Sequence, residues 1–170
     1  MTPIQRLLGR AFIGAHLALY RATSGRIGGT MGSLRVLLLT TTGRRSGQPR
    51  TVPLVYFEDG DRLVVIGSKG GDPRDPLWWE NLKATPVAMI QIGSETRRVR
   101  ARLASPDERK RLWPRIKQEN AFYAGYERKT SREIPVDLGK DLNRVIRQPL
   151  DLGGETIEFT ATSMGNPHCS

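Results

Sequence analysis

Between residues 43 and 50 the chain reads Gly-Arg-Arg-Ser-Gly-Gln-Pro-Arg. Arg44, Arg45 and Arg50 are the side chains here best suited to holding a ligand, because a guanidinium makes forked, charge-assisted bonds to phosphate or carboxylate oxygens. Gly43 and Gly47 let the backbone approach such a group closely. A second cationic turn, Ser68-Lys69-Gly70-Gly71, adds a point charge and exposed backbone amides. Neither turn is a Walker loop or a dinucleotide fingerprint, since G-x-x-x-x-G-K-[ST] and G-x-G-x-x-G are both absent. By spacing alone the loop fits a solvated hairpin connection as well as an anion site.

Two aromatic groups follow. In Leu77-Trp78-Trp79-Glu80-Asn81-Leu82, Trp78 and Leu82 are four apart and share a helical face. Trp78 either fills the core or walls a flat ring system whose polar group Asn81 fixes. Tyr123 and Tyr126, three apart, either close the core or cover a substrate and donate hydrogen bonds to it. The only histidines are His16 and His168, near the ends, and the single cysteine is Cys169. A histidine-based triad, a zinc site or a cysteine cluster therefore cannot be built in the middle of the chain. No metal site is expected, and any redox chemistry falls to a bound cofactor. A lone cysteine allows no internal disulfide, so a reducing compartment is the default.

The elements that must position these groups can be read from hydrophobic pattern and turn chemistry. At 170 residues, 38% hydrophobic and 26% charged, one soluble domain with a full core is expected. The net charge of +10 calls for an anionic partner: nucleic acid, a membrane surface, or a phosphate- or carboxylate-rich ligand. Residues 3–21 read as a basic amphipathic helix, with Leu7, Leu8, Phe12, Ala15 and Leu19 at helical spacing. Its uncharged run is too short to span a bilayer, and no convincing cleavage site follows it. The helix either lies on an anionic membrane surface or packs on the domain. A glycine-rich linker leads to the domain proper.

Val36-Leu37-Leu38-Leu39 suits a strand covered on both faces. Thr51–Glu58 and Arg62–Ser68 form a hairpin turning at Asp59-Gly60, and Pro53 demands a bulge or an edge. A short helix begins at Pro76 with Asp75 as its cap. Strands at 87–92 and 96–103 meet at Gly93-Ser94. The alternating Arg98, Arg100 and Arg102 give a solvated or edge face rather than a ligand site. Ser105-Pro106-Asp107-Glu108 is a capping box opening a helix to about Asn120, with a further turn at 122–126. Ile134–Val136 is a last short strand. Short strands with interspersed helices make an α+β, mainly β fold, a small barrel. Three parts are expected: 1–29 helix and linker, 30–137 barrel, and 138–170 a tail outside the core.

The ordered set LLLTTTGRRSGQPRTVPLVYF, GSKGGDPRDPLWWENLKATP, SPDERKRLWP and YAGYERKTSREIP resembles the deazaflavin-dependent nitroreductase family of actinobacteria, from about residue 30 to 136. The resemblance implies a split β-barrel of the FMN-binding type and coenzyme F420 as cofactor. It implies that Arg44, Arg45, Ser46 and Arg50 hold the cofactor's phosphate and oligoglutamate tail, and that Pro53, Leu54 and Val55 lie under the deazaflavin ring. Ile66, Gly67, Ser68 and Lys69 then contact ring and phosphate, and Leu77, Trp78, Trp79 and Asn81 form the helix beside the cofactor. Tyr123 and Tyr126 match aromatic positions over the substrate pocket, and Ser68 a serine that hydrogen-bonds the acceptor. Asn120 and Lys129 depart from the pattern, standing where relatives carry a tyrosine and a tryptophan. The family's N-terminal helix often associates with membrane, which favours that reading of residues 3–21.

The expected activity is hydride transfer from reduced deazaflavin to a small-molecule acceptor: a quinone, an activated alkene or a nitroaromatic. Tyr123, Tyr126 or water would supply the proton. The expected location is the cytoplasm, with a peripheral position on the inner face of the membrane. FMN in the same fold is the second choice, because the polyarginine loop suits the longer anionic tail of F420. A nucleic-acid-binding module is a rival that the charge favours. It is not expected, since the arginines are scattered and no helix-turn-helix, zinc or RNP signature is present.

Overall fold

The structure is a computed structural model that describes residues 3–131, 133–141, 147–151 and 156–160, with side chains over 11–131 and 133–136. Helix α1 (Pro3–Ala22) comes first, followed by strands β1 (Thr30–Met31), β2 (Leu34–Thr42), β3 (Pro49–Asp59) and β4 (Arg62–Ile66). Helix α2 (Leu77–Ala84), strands β5 (Val87–Ile92) and β6 (Glu95–Leu103), helices α3 (Pro106–Glu119) and α4 (Phe122–Lys129), and strand β7 (Val136–Asp141) complete the main body. Strands β8 (Arg147–Asp151) and β9 (Thr156–Thr160) pair with each other in a separate two-stranded sheet. The rest of the expected tail lies outside the described residues.

The strands run antiparallel in the order β2-β3-β4-β7-β6-β5, and β5 pairs back onto β2, so the sheet closes on itself. Closure leaves few open edges to template aggregation. Leu37 and Leu39 face the interior with Val65, Ile90 and Val99. Val36 and Leu38 face outward and meet Tyr20 of α1. This two-sided burial is why the β2 sequence is an unbroken apolar run.

The hairpin register pairs Asp59 with Arg62, so the two turn residues are Gly60 and Asp61, one position later than the sequence suggests. Gly60 takes φ +64°, the left-handed value such a turn requires. β4 pairs with β3 only over Tyr56–Asp59, whereas β3 pairs with β2 from Pro49 to Val55. The stretch 49–55 therefore has a partner on one side only. Pro53 sits in it opposite Leu38 without a bulge, as a residue with no N–H can on a free edge.

Helix α2 starts one residue later than expected, with Pro76 rather than Asp75 at the cap position. The Asp75 carboxylate instead pairs with Lys83 Nζ at 3.4 Å. Trp78, Trp79 and Leu82 turn into the barrel core, while Leu77 is exposed. At α3 the capping box forms: Ser105 Oγ accepts from the Glu108 N–H at 3.3 Å, and Glu108 Oε2 accepts from the Ser105 N–H at 2.8 Å. Asn120 ends α3, and its Oδ1 accepts from the Phe122 N–H at 3.0 Å, which starts α4 as a separate helix.

The last strand runs over 136–141 rather than 134–136. It pairs with both β4 and β6, so the first residues expected in the tail complete the barrel.

Candidate functional site

The basic loop is folded tightly onto itself. Gly43 N–H donates to the Gln48 carbonyl at 2.9 Å, and Gly47 N–H, at φ +65°, donates to the Gly43 carbonyl at 2.7 Å. Both ends of the loop are also tied to one buried chain of polar groups. The Arg44 N–H donates to Asn81 Oδ1 at 3.1 Å. Asn81 Nδ2 donates to Thr41 Oγ1 at 3.0 Å, and Thr41 Oγ1 donates to the Arg50 carbonyl at 3.4 Å. Asn81 and Thr41 are buried. A buried amide with these partners holds backbone in place, so Asn81 fixes the loop from within rather than reaching out to a ligand through these atoms.

The second cationic turn is strained. Lys69, Gly70 and Gly71 all take left-handed backbone, at φ +46°, +66° and +82°. For lysine that conformation is uncommon, and the turn closes on itself, the Gly71 N–H donating to the Ser68 carbonyl at 2.9 Å and the Asp72 N–H to the Lys69 carbonyl at 3.2 Å. The turn is held from behind by two close contacts. A side chain on Gly71 would meet Lys129 Cβ at 2.8 Å and the Tyr126 carbonyl at 3.0 Å; one on Gly67 would meet Pro135 Cγ at 2.6 Å. Both positions therefore need glycine for close approach. Lys69 Nζ lies 3.5 Å from Asp72 Oδ1.

Helix α4 stands against this turn. Tyr123 is buried in an aromatic cluster, 6.0 Å from Phe57 and 6.2 Å from Trp113 between ring centres. Burial, with Tyr126 adding to it, pushes its phenol up to about 12. Tyr126 is half-buried and edge-on to Tyr123 at 6.0 Å. Lys129 Nζ lies 5.9 Å from the Tyr126 ring. The two departures from the sequence pattern thus differ in place: Asn120 is a buried helix junction, and Lys129 edges the aromatic pair and the glycine turn.

Electrostatics separates this end of the molecule from the rest. Arg111 pairs with Asp59 at 2.7 Å, Arg102 and Arg62 with Glu108 at 2.6 and 2.9 Å, and Arg35 with Glu58 at 2.8 Å. Among the described residues Arg44 and Arg45 have no carboxylate within ion-pair distance, and Arg50 reaches only Ser46 Oγ, at 3.4 Å. The loop's arginines are thus without an ion pair, although the Glu80 carboxylate, held low chiefly by Lys83, also feels Arg44.

The structure gathers Arg44, Arg45, Ser46 and Arg50 on one exposed loop. It places Pro53, Leu54 and Val55, half-buried, on the free edge of β3. Ile66, Gly67 and Ser68 are buried at the end of β4, and Lys69 is exposed beyond them. Trp78 and Trp79 belong to the barrel core. Sequence reading missed Thr41, because one threonine among three on a strand carries no signal of its own. Among the described residues no group of histidine, cysteine, aspartate and glutamate can hold a metal ion.

The model of the F420H(2)-dependent quinone reductase family matches residues 13–141. An F420H(2)-dependent quinone reductase of Mycobacterium tuberculosis (strain ATCC 25618 / H37Rv) is 43% identical over 137 residues, 78% of this chain and 92% of that one. The solved structure of the F420-H2 dependent reductase FDR-A matches with TM-score 0.57 at 38% identity, over 62% of this chain and 93% of that one. A structure described as a domain-swapped dimer matches with TM-score 0.58 at 30% identity, over 82% of this chain and the whole of that one. A diaminopimelate epimerase of Nostoc sp. (strain PCC 7120) is 51% identical over 45 residues, but these are only 16% of that protein.

Proposed function

This chain belongs to the F420H(2)-dependent quinone reductase family, and from that premise we propose an oxidoreductase that reduces a quinone with reduced coenzyme F420. The observation that carries this reading is the arginine loop, without an ion pair among the described residues, beside the free edge of β3. The cofactor combines a flat deazaflavin ring with a phosphate and a run of glutamate carboxylates, and the residues present fit both parts. Arg44, Arg45 and Arg50 are free to take phosphate and carboxylate oxygens. The left-handed turn at Lys69 offers one ammonium. Pro53, Leu54 and Val55, with Ile66, Gly67 and Ser68 across the gap, give a half-buried apolar bed for a ring, and the core tryptophans keep α2 in place beside it.

When bound, the reduced deazaflavin supplies the hydride. The protein's part is to orient the partners and keep water out. Ser68 is proposed to hydrogen-bond the acceptor, and Tyr126, at the rim of the aromatic cluster, to deliver the proton. Tyr123 is proposed to support Tyr126 and touch the cofactor. Activated alkenes and nitroaromatics are proposed as further acceptors. We place the enzyme in the cytoplasm, resting on the inner face of the membrane through α1, on which Phe12 and Leu19 are exposed. FMN and nucleic acid are not favoured as partners.

The test is a fluorescence titration of the purified protein with coenzyme F420, with FMN in parallel. Saturable F420 binding, weakened about tenfold by Arg44→Ala and by Lys69→Ala, is the expected result. Binding of FMN alone, or of neither, would overturn the reading.

A further inference from the structure

Lys129 sits where helix α4 meets the glycine turn. Its Cβ is 2.8 Å from the point where a side chain on Gly71 would begin, so the lysine stem lies directly on the turn. The other end of that turn is Ser68, whose carbonyl accepts from the Gly71 N–H at 2.9 Å. The Lys129 ammonium lies 5.9 Å from the centre of the Tyr126 ring, within the range over which a cation and an aromatic face attract. Phe122, one turn earlier on the same helical face, stacks on Tyr126 at 6.5 Å and is exposed. This face of α4 is therefore open to a ligand. The acids of the surrounding elements are engaged elsewhere. Glu127 takes the Trp113 indole N–H at 2.7 Å and Lys117 Nζ at 3.1 Å. Asp72 is held by Lys69 and Arg74 at 3.5 and 3.4 Å, and Glu133 by Arg109 at 2.9 Å. Among the described residues Lys129 has no carboxylate within ion-pair distance.

We propose that Lys129 makes the enzyme prefer acceptors that carry an anionic substituent, such as a quinone with a carboxylate or sulfonate on its ring. The inference rests on the quinone reductase reading above, in which Ser68 and Tyr126 hold the acceptor. Lys129 touches the turn that Ser68 begins and flanks the ring of Tyr126, so a substituent projecting from an acceptor held by those two residues comes within reach of the ammonium. The base of the lysine stem is fixed against Gly71, while the head is a compact charge on a flexible chain and can follow substituents of different length. A neutral quinone gains nothing from it, whereas an anionic one gains a charge-assisted bond. Lys129 is exposed, so the gain is that of a solvated pair, which gives a preference rather than a requirement. Ser68 and Tyr126 then decide what is reduced, and Lys129 which substituted form is favoured.

The experiment measures steady-state reduction, by reduced F420, of a neutral naphthoquinone and of the same quinone carrying a sulfonate, a group that stays ionised at any working pH. The proteins are the full chain and its Lys129→Met, Lys129→Arg and Lys129→Glu variants. Methionine keeps an unbranched stem on Gly71 and loses the charge. Each variant is compared with the wild type on one acceptor at a time, which cancels the different reactivities of the two quinones. For the sulfonated quinone kcat/KM should fall about threefold in Lys129→Met and about tenfold in Lys129→Glu, chiefly through KM. Lys129→Arg should stay within about twofold of the wild type, and the neutral quinone should change by less than about twofold in all three variants. The difference between the two acceptors should shrink with added salt, as it does for exposed charge pairs. Equal losses on both quinones, or no loss on the sulfonated one in Lys129→Glu, would overturn the selectivity and leave the quinone reductase reading standing. Weaker F420 binding by Lys129→Glu in a fluorescence titration would overturn it too, by assigning the lysine to the cofactor. Failure of the wild type to reduce either quinone with reduced F420 would overturn the quinone reductase reading itself, and the selectivity with it.

Discussion

Tyr123 and Tyr126 are neighbours of the same type in different settings, and the setting decides what each can do. Tyr123 is packed among Phe57, Trp113 and Tyr126, and burial holds its pKa at about 12. A group raised in this way keeps its proton in the folded protein while the unfolded chain loses it near pH 10. Folding is then favoured by this residue below pH 10, and the contribution is lost as pH rises from about 10 to about 12, amounting to about 2–3 kcal/mol. Chemical denaturation followed from pH 8 to 11.5 should show a falling midpoint in the wild type and a flatter one in Tyr123→Phe, which has no phenol to ionise. An equal fall in both would show that Tyr123 does not carry the effect. At the proposed site the same reasoning predicts that Tyr126→Phe lowers turnover more than Tyr123→Phe does, since the half-buried phenol is the one placed to exchange a proton. Spacing put both tyrosines on one face but had no means of separating them, because the difference comes from Phe57 and Trp113, on other elements.

At the scale of elements, the arginine loop is positioned by a helix that is remote in sequence. Asn81 on α2 reaches the Arg44 amide directly and the Arg50 carbonyl through Thr41. Thr41→Val keeps the shape and removes the hydroxyl, leaving the Asn81 amide short of an acceptor in a buried place. That costs about 1–3 kcal/mol of stability and frees one end of the loop. Affinity for F420 should fall about tenfold, with little change for the tail-free deazariboflavin core and little change in turnover at saturation. Equal losses for both probes would mean that the relay supports the whole barrel rather than the loop. The loop, the two-sided strand β2 and the capping box at Ser105 were legible because local chemistry determines each. Strand β7 was only partly so: Val-Asp-Leu-Gly-Lys-Asp has weak alternation, and it becomes a strand by filling the space between β4 and β6. The start of α2 slipped by one residue because Asp75 pairs with Lys83 instead of capping.

Across the whole molecule, the net charge pointed to an anionic partner, but its distribution needed the fold. Acidic residues pair with the arginines around α3 and the β3–β4 hairpin, whereas among the described residues those of the loop, and Arg98 and Arg100 on β6, have no ion pair. Helix α1 is the remaining case. Its C-terminal end is fixed: Tyr20 is buried, its hydroxyl donates to the Val36 carbonyl at 3.1 Å and accepts from the Gly93 N–H at 3.0 Å. Further along, Phe12 is 74% exposed and Leu19 50%, and none of the described helices is long and apolar enough to cross a membrane. A helix docked at one end, with apolar side chains uncovered and an arginine-rich sequence, suits the surface of an anionic bilayer, where a quinone acceptor would be at hand. The wild type should therefore float with vesicles containing anionic lipid, less so as salt rises. Phe12→Glu should reduce flotation severalfold, since it puts a charge where an apolar ring would enter the acyl boundary. Because Phe12 lies outside the cofactor site, F420 binding and reduction of a water-soluble quinone should be unchanged in that variant, while reduction of a vesicle-embedded quinone should fall. Flotation unaffected by Phe12→Glu would remove α1 from the membrane role and leave its exposed face to some other partner.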